Sequence, residues 1–214
     1  MAASIDIFIP HILPSVLACP DFSIRSAIIE AAIEFCGDAG AWTETLDPIH
    51  MSAGTHSYEL DVPKDARALV VKNVWARNGA LVAKTMDDIA ALMPDWQSAQ
   101  GTPAYYNQQD WDELRVYPTP GDGDAGGTLS VRASLAPTRG ASTLPNFLVE
   151  RHFQTIVAGA LARLMLVPGQ GWSNPQLAAY FKNEFRLACA NAKVELFHDR
   201  VACNLRVAPR RFGG

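Results

Sequence analysis

The stretch from Leu144 to Ala190 decides the fold: Leu144-Pro145-Asn146-Phe147 opens it, Gly159-Ala160 stands at its middle, and Pro168-Gly169 and Trp172-Ser173-Asn174-Pro175 follow. Proline in a first helical turn fixes φ where the backbone N–H has no helical partner anyway. Pro145 and Pro175 therefore predict two helix starts, with Pro168-Gly169 a stop between them. Phe153, Val157, Ala160 and Leu164 recur at helical spacing on the first helix, and Leu177, Phe181, Phe185 and Ala188 on the second. Glycine inside a helix costs about 1 kcal/mol relative to alanine, so Gly159 predicts close approach of another backbone, from this chain or another copy. The stretch reads as a helical hairpin built for packing.

Toward the N-terminus, Pro10, Pro14 and Pro20 predict an extended lead-in, followed by a helix capped by Asp21 and ended by Gly37. Ile24, Ile28, Ala31 and Phe35 follow the 3.6-residue repeat, and Ile29 and Ile33 widen the stripe, which predicts burial on more than one side. Between the helices, the pattern changes to alternation and turns. Tyr58, Leu60 and Val62 alternate with polar residues, and Leu69 to Trp75 leads to a predicted hairpin turn at Asn78-Gly79. Thr85 with Asp88 predicts a capped short helix over Met86 to Leu92, ended by Pro94. Further strands are expected around Ala104 to Tyr106, Leu114 to Tyr117 and Leu129 to Leu135, with a flexible surface loop at Pro118 to Gly127.

Short connections between neighbouring strands predict an antiparallel sheet. The expected fold is α+β: a helical bundle of the N-terminal helix (1–41) and the C-terminal hairpin (141–198), an inserted β-rich domain (42–140), and an extended basic arm (199–214). Composition agrees with a globular chain: 49% hydrophobic and 19% charged over 214 residues. No apolar run approaches the roughly 18–20 residues that span a bilayer. Ile5 to Ala18 is broken by Pro10 and Pro14 and lacks a basic start, so it does not read as a signal peptide.

Charge is divided unevenly. Residues 1–139 hold nine Lys and Arg against eighteen Asp and Glu, and residues 140–214 nine against four. The segment from Arg200 to Gly214 has no acidic residue and reads either as a frayed chain end or as an arm docking on an acidic surface, with Val201, Leu205, Val207 and Phe212 as apolar anchors. An acidic body disfavours direct grip on nucleic acid.

Signals for catalysis are weak. His11, His50, His56, His152 and His198 form no metal-ligand spacing, although His50 and His56 flank the turn Ser52 to Thr55. Asp87 and Asp88 belong to a helix start, and Asp110, Asp112 and Glu113 lie by a turn. Cys19, Cys36, Cys189 and Cys203 lack any C-x-x-C pair and are expected as reduced thiols. No cofactor, metal or enzyme activity is expected.

The phrases Leu144-Pro145-Asn146-Phe147-Leu148, Ile156 to Leu164 around Gly159-Ala160, and Pro168-Gly169-x-x-Trp172-Ser173-Asn174-Pro175-x-Leu177-Ala178-x-Tyr180 resemble the C-terminal half of tailed-bacteriophage head-to-tail adaptor proteins. Ile28 to Cys36 with Trp42, Gly101-x-Pro103, and Leu114-Arg115-Val116-Tyr117-Pro118-x-Pro120 resemble that family's first helix and β-insertion. The resemblance implies a virion protein of the neck, made in the host cytoplasm, that forms a ring of about twelve copies beneath the portal and prolongs the DNA channel. Its implied partners are the portal, a tail or nozzle protein and further copies of itself, with genomic DNA passing nearby and no membrane involved. It implies a portal-binding arm at Arg200, Leu205, Arg206, Arg210, Arg211 and Phe212. Ring packing is expected at Ile28, Phe35, Gly159, Ala160, Trp172, Phe181 and Phe185. A tail-tube or terminator ring subunit is the alternative, and a small metal-dependent hydrolase the reading from another class.

Overall fold

The structure, a computed structural model, describes residues 2–197. In chain order it contains strand β1 (Ala2–Ser4), helices α1 (Ile9–Ile12) and α2 (Asp21–Ala39), then strands β2 (Trp42–Thr45), β3 (Ile49–His50), β4 (Ser57–Glu59), β5 (Ala66–Ala76), β6 (Gly79–Ala80) and β7 (Val82–Ala83). Helix α3 (Met86–Leu92) precedes β8 (Tyr105–Asp110), β9 (Glu113–Tyr117), β10 (Thr128–Pro137) and β11 (Thr143–Pro145), and helices α4 (Asn146–Leu164) and α5 (Pro175–Phe197) follow. The architecture is mixed α+β.

The lead-in is helical, not extended. One 3-10 turn covers Ile5–Phe8, α1 follows, and a second 3-10 turn covers Leu13–Ser15. Pro10 and Pro14 sit at the first turns of these pieces, where a missing N–H breaks no bond. Ile5, Phe8, Ile12 and Val16 recur every three to four residues and are all buried, with the Phe8 ring stacked 4.6 Å from that of Phe153.

Helix α2 outlasts its predicted end. Gly37 lies inside it, and the chain leaves at Gly40, whose φ of 63° is the left-handed conformation and whose N–H donates to the Cys36 carbonyl at 2.9 Å. Asp21 is the first helical residue, not the cap: Pro20 holds the cap position in extended backbone, and the Asp21 carboxylate meets the positive helix end. Pro145 likewise caps α4 from β11, so the helix begins one residue later than predicted. Pro175 does open α5, and the Asn174 side-chain carbonyl accepts the Leu177 N–H at 3.1 Å.

The strands form three sheets where one was expected. The largest has the order β2-β10-β5-β6, with β3 also on β10; the second is β4-β9-β8-β7; the third is β1-β11. Adjacent pairing holds for β8 with β9 and β5 with β6, but β10 takes β2 and β5, its distant neighbours in sequence. Leu129, Val131, Ala133 and Leu135 of β10 are fully buried, because the strand is central and α2 packs on it. The β7–β8 pair is parallel, a departure from the antiparallel expectation. The hairpin turn is Arg77-Asn78, one residue earlier than predicted, since Ala76 pairs with Gly79. Thr85 does cap α3, accepting the Asp88 N–H at 3.2 Å.

Helices α2, α4 and α5 pack on one another. Gly159 lies beside Ala31, the Arg163 guanidinium reaches the Glu30 carbonyl, and Phe35 meets His152, so α4 runs antiparallel to α2. One continuous apolar core joins these helices to β10 and on to Tyr58 and Leu114.

Candidate assembly interface

The seven residues expected to pack a ring do their packing inside one chain. Ile28, Phe35 and Ala160 are fully buried, Phe185 and Gly159 are buried, and Trp172 and Phe181 are half-buried against the core. The wide stripe of α2 is likewise covered by its own chain: Ile24, Ala27, Ile28, Ala31, Ala32, Phe35 and Cys36 are all buried. Gly159 is small for the reason its position predicted, but the neighbours are side chains, not backbone. A Cβ there would stand 2.7 Å from Cδ2 and Cε2 of Phe185 and 2.9 Å from Cβ of Ala31.

Arg163 ties the three helices together, and sequence reasoning missed it. Nη1 donates to the Gly159 carbonyl at 2.7 Å, Nη2 reaches the Glu30 carbonyl and the Glu34 carboxylate, and the guanidinium lies 5.6 Å from the centre of the Phe185 ring. Arg163 stands one helical turn after Gly159, and that spacing beside a missing side chain was the available signal. Cys36 and Cys189 meet in the same layer. Burial pushes both thiols up to about 12, which keeps them protonated.

The predicted stripe of α5 holds at Phe181 and Phe185 and fails at Leu177. Ala178, Phe185, Cys189 and Ala192 face the core, whereas Leu177 is exposed. On the far side of α5, Tyr180, Leu187 and Val194 are 57%, 59% and 59% exposed. Their seven-residue spacing turns each about 20° from the last, so they form one apolar row along the helix, some 200° from the buried stripe. A helix with apolar residues on both faces carries more than its own chain requires. A second exposed apolar group comprises Leu17, Phe22, Leu166 and Val167. The antiparallel run of α2 and α4 places it at one end of the helices, opposite the end of α5.

The surface loop predicted to be flexible is anchored at Pro120 and over Gly126 to Gly127. The Met51 N–H donates to the Gly127 carbonyl at 2.8 Å, the Gly126 N–H to the Met51 carbonyl at 2.9 Å, and the Gly54 N–H to the Pro120 carbonyl at 2.9 Å. A Gly127 side chain would begin 2.8 Å from the movable Met51 methyl and 3.0 Å from the Asp124 backbone carbonyl, and the second of these favours glycine.

The groups considered for catalysis lie apart from one another or in structural contacts. His50 is exposed on β3, and the His56 ring lies 6.4 Å from that of Tyr117, which Trp96 meets edge-on at 5.8 Å. Glu113 accepts the Arg115 Nε–H at 2.8 Å and the Ser57 hydroxyl. The Arg115 and Ser57 hydrogen bonds hold its carboxyl below the usual range, the opposite of what a general acid needs. Asp110 and Asp112 are exposed at the β8–β9 turn. No group of three or more His, Cys, Asp or Glu among the described residues is placed to hold a metal ion. Nor is any described helix long and apolar enough to cross a membrane. The expected portal-binding residues Arg200, Leu205, Arg206, Arg210, Arg211 and Phe212 lie outside the described residues.

The sequence matches the model of the SU10 adaptor protein family from residue 11 to residue 207. No curated protein matches it. A match that runs from the lead-in helix through the β-rich middle to beyond α5 takes in every long element of the fold. The chain therefore belongs to the SU10 adaptor protein family, structural components of the bacteriophage particle that contact other virion proteins.

Proposed function

We propose that the chain is a head-to-tail adaptor that assembles into a closed ring beneath the portal, joins head to tail and prolongs the channel through which DNA passes. It works by binding, without turnover. The observation that carries the ring is the exposed row of Tyr180, Leu187 and Val194 on a helix whose other face is already packed. A ring interface is heterologous and needs two different surfaces on each copy. The α5 row is one, and the apolar group at Leu17, Phe22, Leu166 and Val167 offers the second. Twelve copies is the number the family resemblance implies.

The basic C-terminal segment is assigned to the portal, with Arg200, Arg206, Arg210 and Arg211 as charged contacts and Leu205 and Phe212 as anchors. The eighteen acids among residues 1–139 suit a channel component that must pass DNA without holding it. Native mass spectrometry of the protein mixed with its portal ring tests this reading. A portal-dependent ring of discrete stoichiometry supports it; a monomer indifferent to portal sinks it.

A further inference from the structure

Strand β2 is the edge of the large sheet, β11 is an edge of the small one, and a groove of about 770 Å3 lies between them. Trp42, Thr43 and Glu44 line one side and Thr143, Leu144 and Phe147 the other. Hydrogen bonding in an antiparallel ladder alternates along each strand. The Leu46 N–H donates to the Val131 carbonyl at 2.8 Å, so Leu46, Glu44 and Trp42 direct their peptide groups to β10, and Thr43 and Thr45 direct theirs to the opposite edge. On β11 the Ile5 N–H donates to the Ser142 carbonyl at 3.3 Å, which by the same count turns the Thr143 peptide away from β1. Two strand edges with outward peptide groups border one groove, a template for an added strand.

Three observations identify the occupant. The first is position: α5 runs parallel to α2, with Cys189 beside Cys36, and continues to Phe197, roughly 12 Å further along its axis. That is the end of the helices where α2 leads into β2 and β11 into α4. The segment 198–214 starts there, and fully extended it would span roughly 55 Å, ample for the groove. The second is pattern: Val201, Cys203, Leu205 and Val207 alternate with Arg200, Ala202, Asn204 and Arg206, a period of two that gives a strand one apolar and one basic side, and Pro209 ends it. The third is charge. Glu44 and Asp65 border the groove, and a smaller cleft continues from Glu44 to Asp47 and Asp61, against Lys64 as the cation.

We propose that residues 200–207 seat in the groove of their own chain as an added strand, joining the large and small sheets in the unassembled subunit. The segment then has two destinations: it lies on its own body before assembly and exchanges to another surface within the particle. This inference stands apart from the portal reading, because it concerns the free subunit.

Hydrogen–deuterium exchange on the full-length protein tests it. The outward amides of Thr43 and Thr45 and those of 200–207 are expected to exchange slowly together, and their protection to persist on dilution. Val201→Asp with Val207→Asp should speed exchange in both stretches at least tenfold while leaving α4 unchanged. Ala202→Pro with Asn204→Pro removes two N–H donors without adding charge and should do the same. Exchange of 200–207 at free-peptide rates in the wild-type subunit would overturn the proposal. So would protection that disappears on dilution, which would assign the strand to a second copy. Portal binding by a subunit whose 200–207 was never protected overturns this proposal and leaves the portal reading intact.

Discussion

Gly159→Ala is the substitution whose outcome depends most directly on the packing of the three helices. By helix propensity alone the change favours the folded state by about 1 kcal/mol. Against that, the new methyl would stand 2.7 Å from two atoms of the Phe185 ring and 2.9 Å from Ala31 Cβ. Carbon atoms rest at about 3.5–4.0 Å, so the ring and α2 must each withdraw by well over half an ångström from a closely packed layer. Overpacking of this kind costs about 1–3 kcal/mol per site, and here two neighbours on two helices are affected. The net expectation is destabilisation of about 1–2 kcal/mol, a fall in Tm of roughly 2–8 °C for a chain of this size. Urea unfolding at fixed protein concentration measures it, since assembly would shift the apparent stability. A double-mutant cycle with Phe185→Leu isolates the contact: the smaller side chain should recover part of the loss, with a favourable coupling of about 0.5 kcal/mol or more. If Gly159→Ala proved as stable as wild type, or more so, the close packing at this crossing would be refuted and propensity would be the ruling term.

Leu187→Glu, in the middle of the exposed α5 row, should leave the unfolding free energy within about 0.5 kcal/mol of wild type yet abolish the portal-dependent ring in native mass spectra. Glu113→Gln should flatten the acid limb of the stability profile. The Glu113 pKa is lowered in the fold, so its contribution is complete above the unfolded value of about 4.3 and is lost as pH falls through the folded value; urea midpoints between pH 3 and 7 report it. Cys36 and Cys189, buried and pushed up to about 12, should resist an aromatic disulfide reagent at pH 8 until the protein unfolds, as read from the kinetics of thiol release.

The helices were legible because their signals are local. Pro175 with Asn174, Thr85 with Asp88, and the spacing of Ile24, Ile28, Ala31 and Phe35 act within a turn or two of chain. The lead-in misleads because proline marks extended chain and helix openings alike, and Pro10 and Pro14 occupy helix-opening positions. Pairing of β10 with β2 was not legible. It joins Leu135 to Trp42 across almost half of the chain, and neither strand carries a turn signal toward the other. The interface was half legible: Gly159 and Phe185 announced close packing, but nothing local told whether the neighbour belonged to this chain or another. Leu177 lies off the buried side of α5, where Ala178 takes its place, because a helical period does not fix where the stripe is centred.

Covering the wide apolar stripe of α2 within one chain changes how assembly has to work. Had Ile28 and Phe35 been left for a neighbour, the free subunit would have carried a large apolar face and associated on its own. Instead the three helices close on each other around Gly159 and Arg163, and what they leave outside is a narrow row of three side chains on α5 and the small apolar group at Leu17, Phe22, Leu166 and Val167. Such a row has too little area to hold two copies together unaided, because specific stable interfaces bury about 1,200–2,000 Å2 in total. It becomes effective when a third body holds adjacent copies side by side, since tethering raises the effective concentration of the second contact without adding any new one. A weak lateral surface on a well-packed subunit is therefore what a templated ring needs: stable alone, and joined to its neighbours only where a platform has already aligned them.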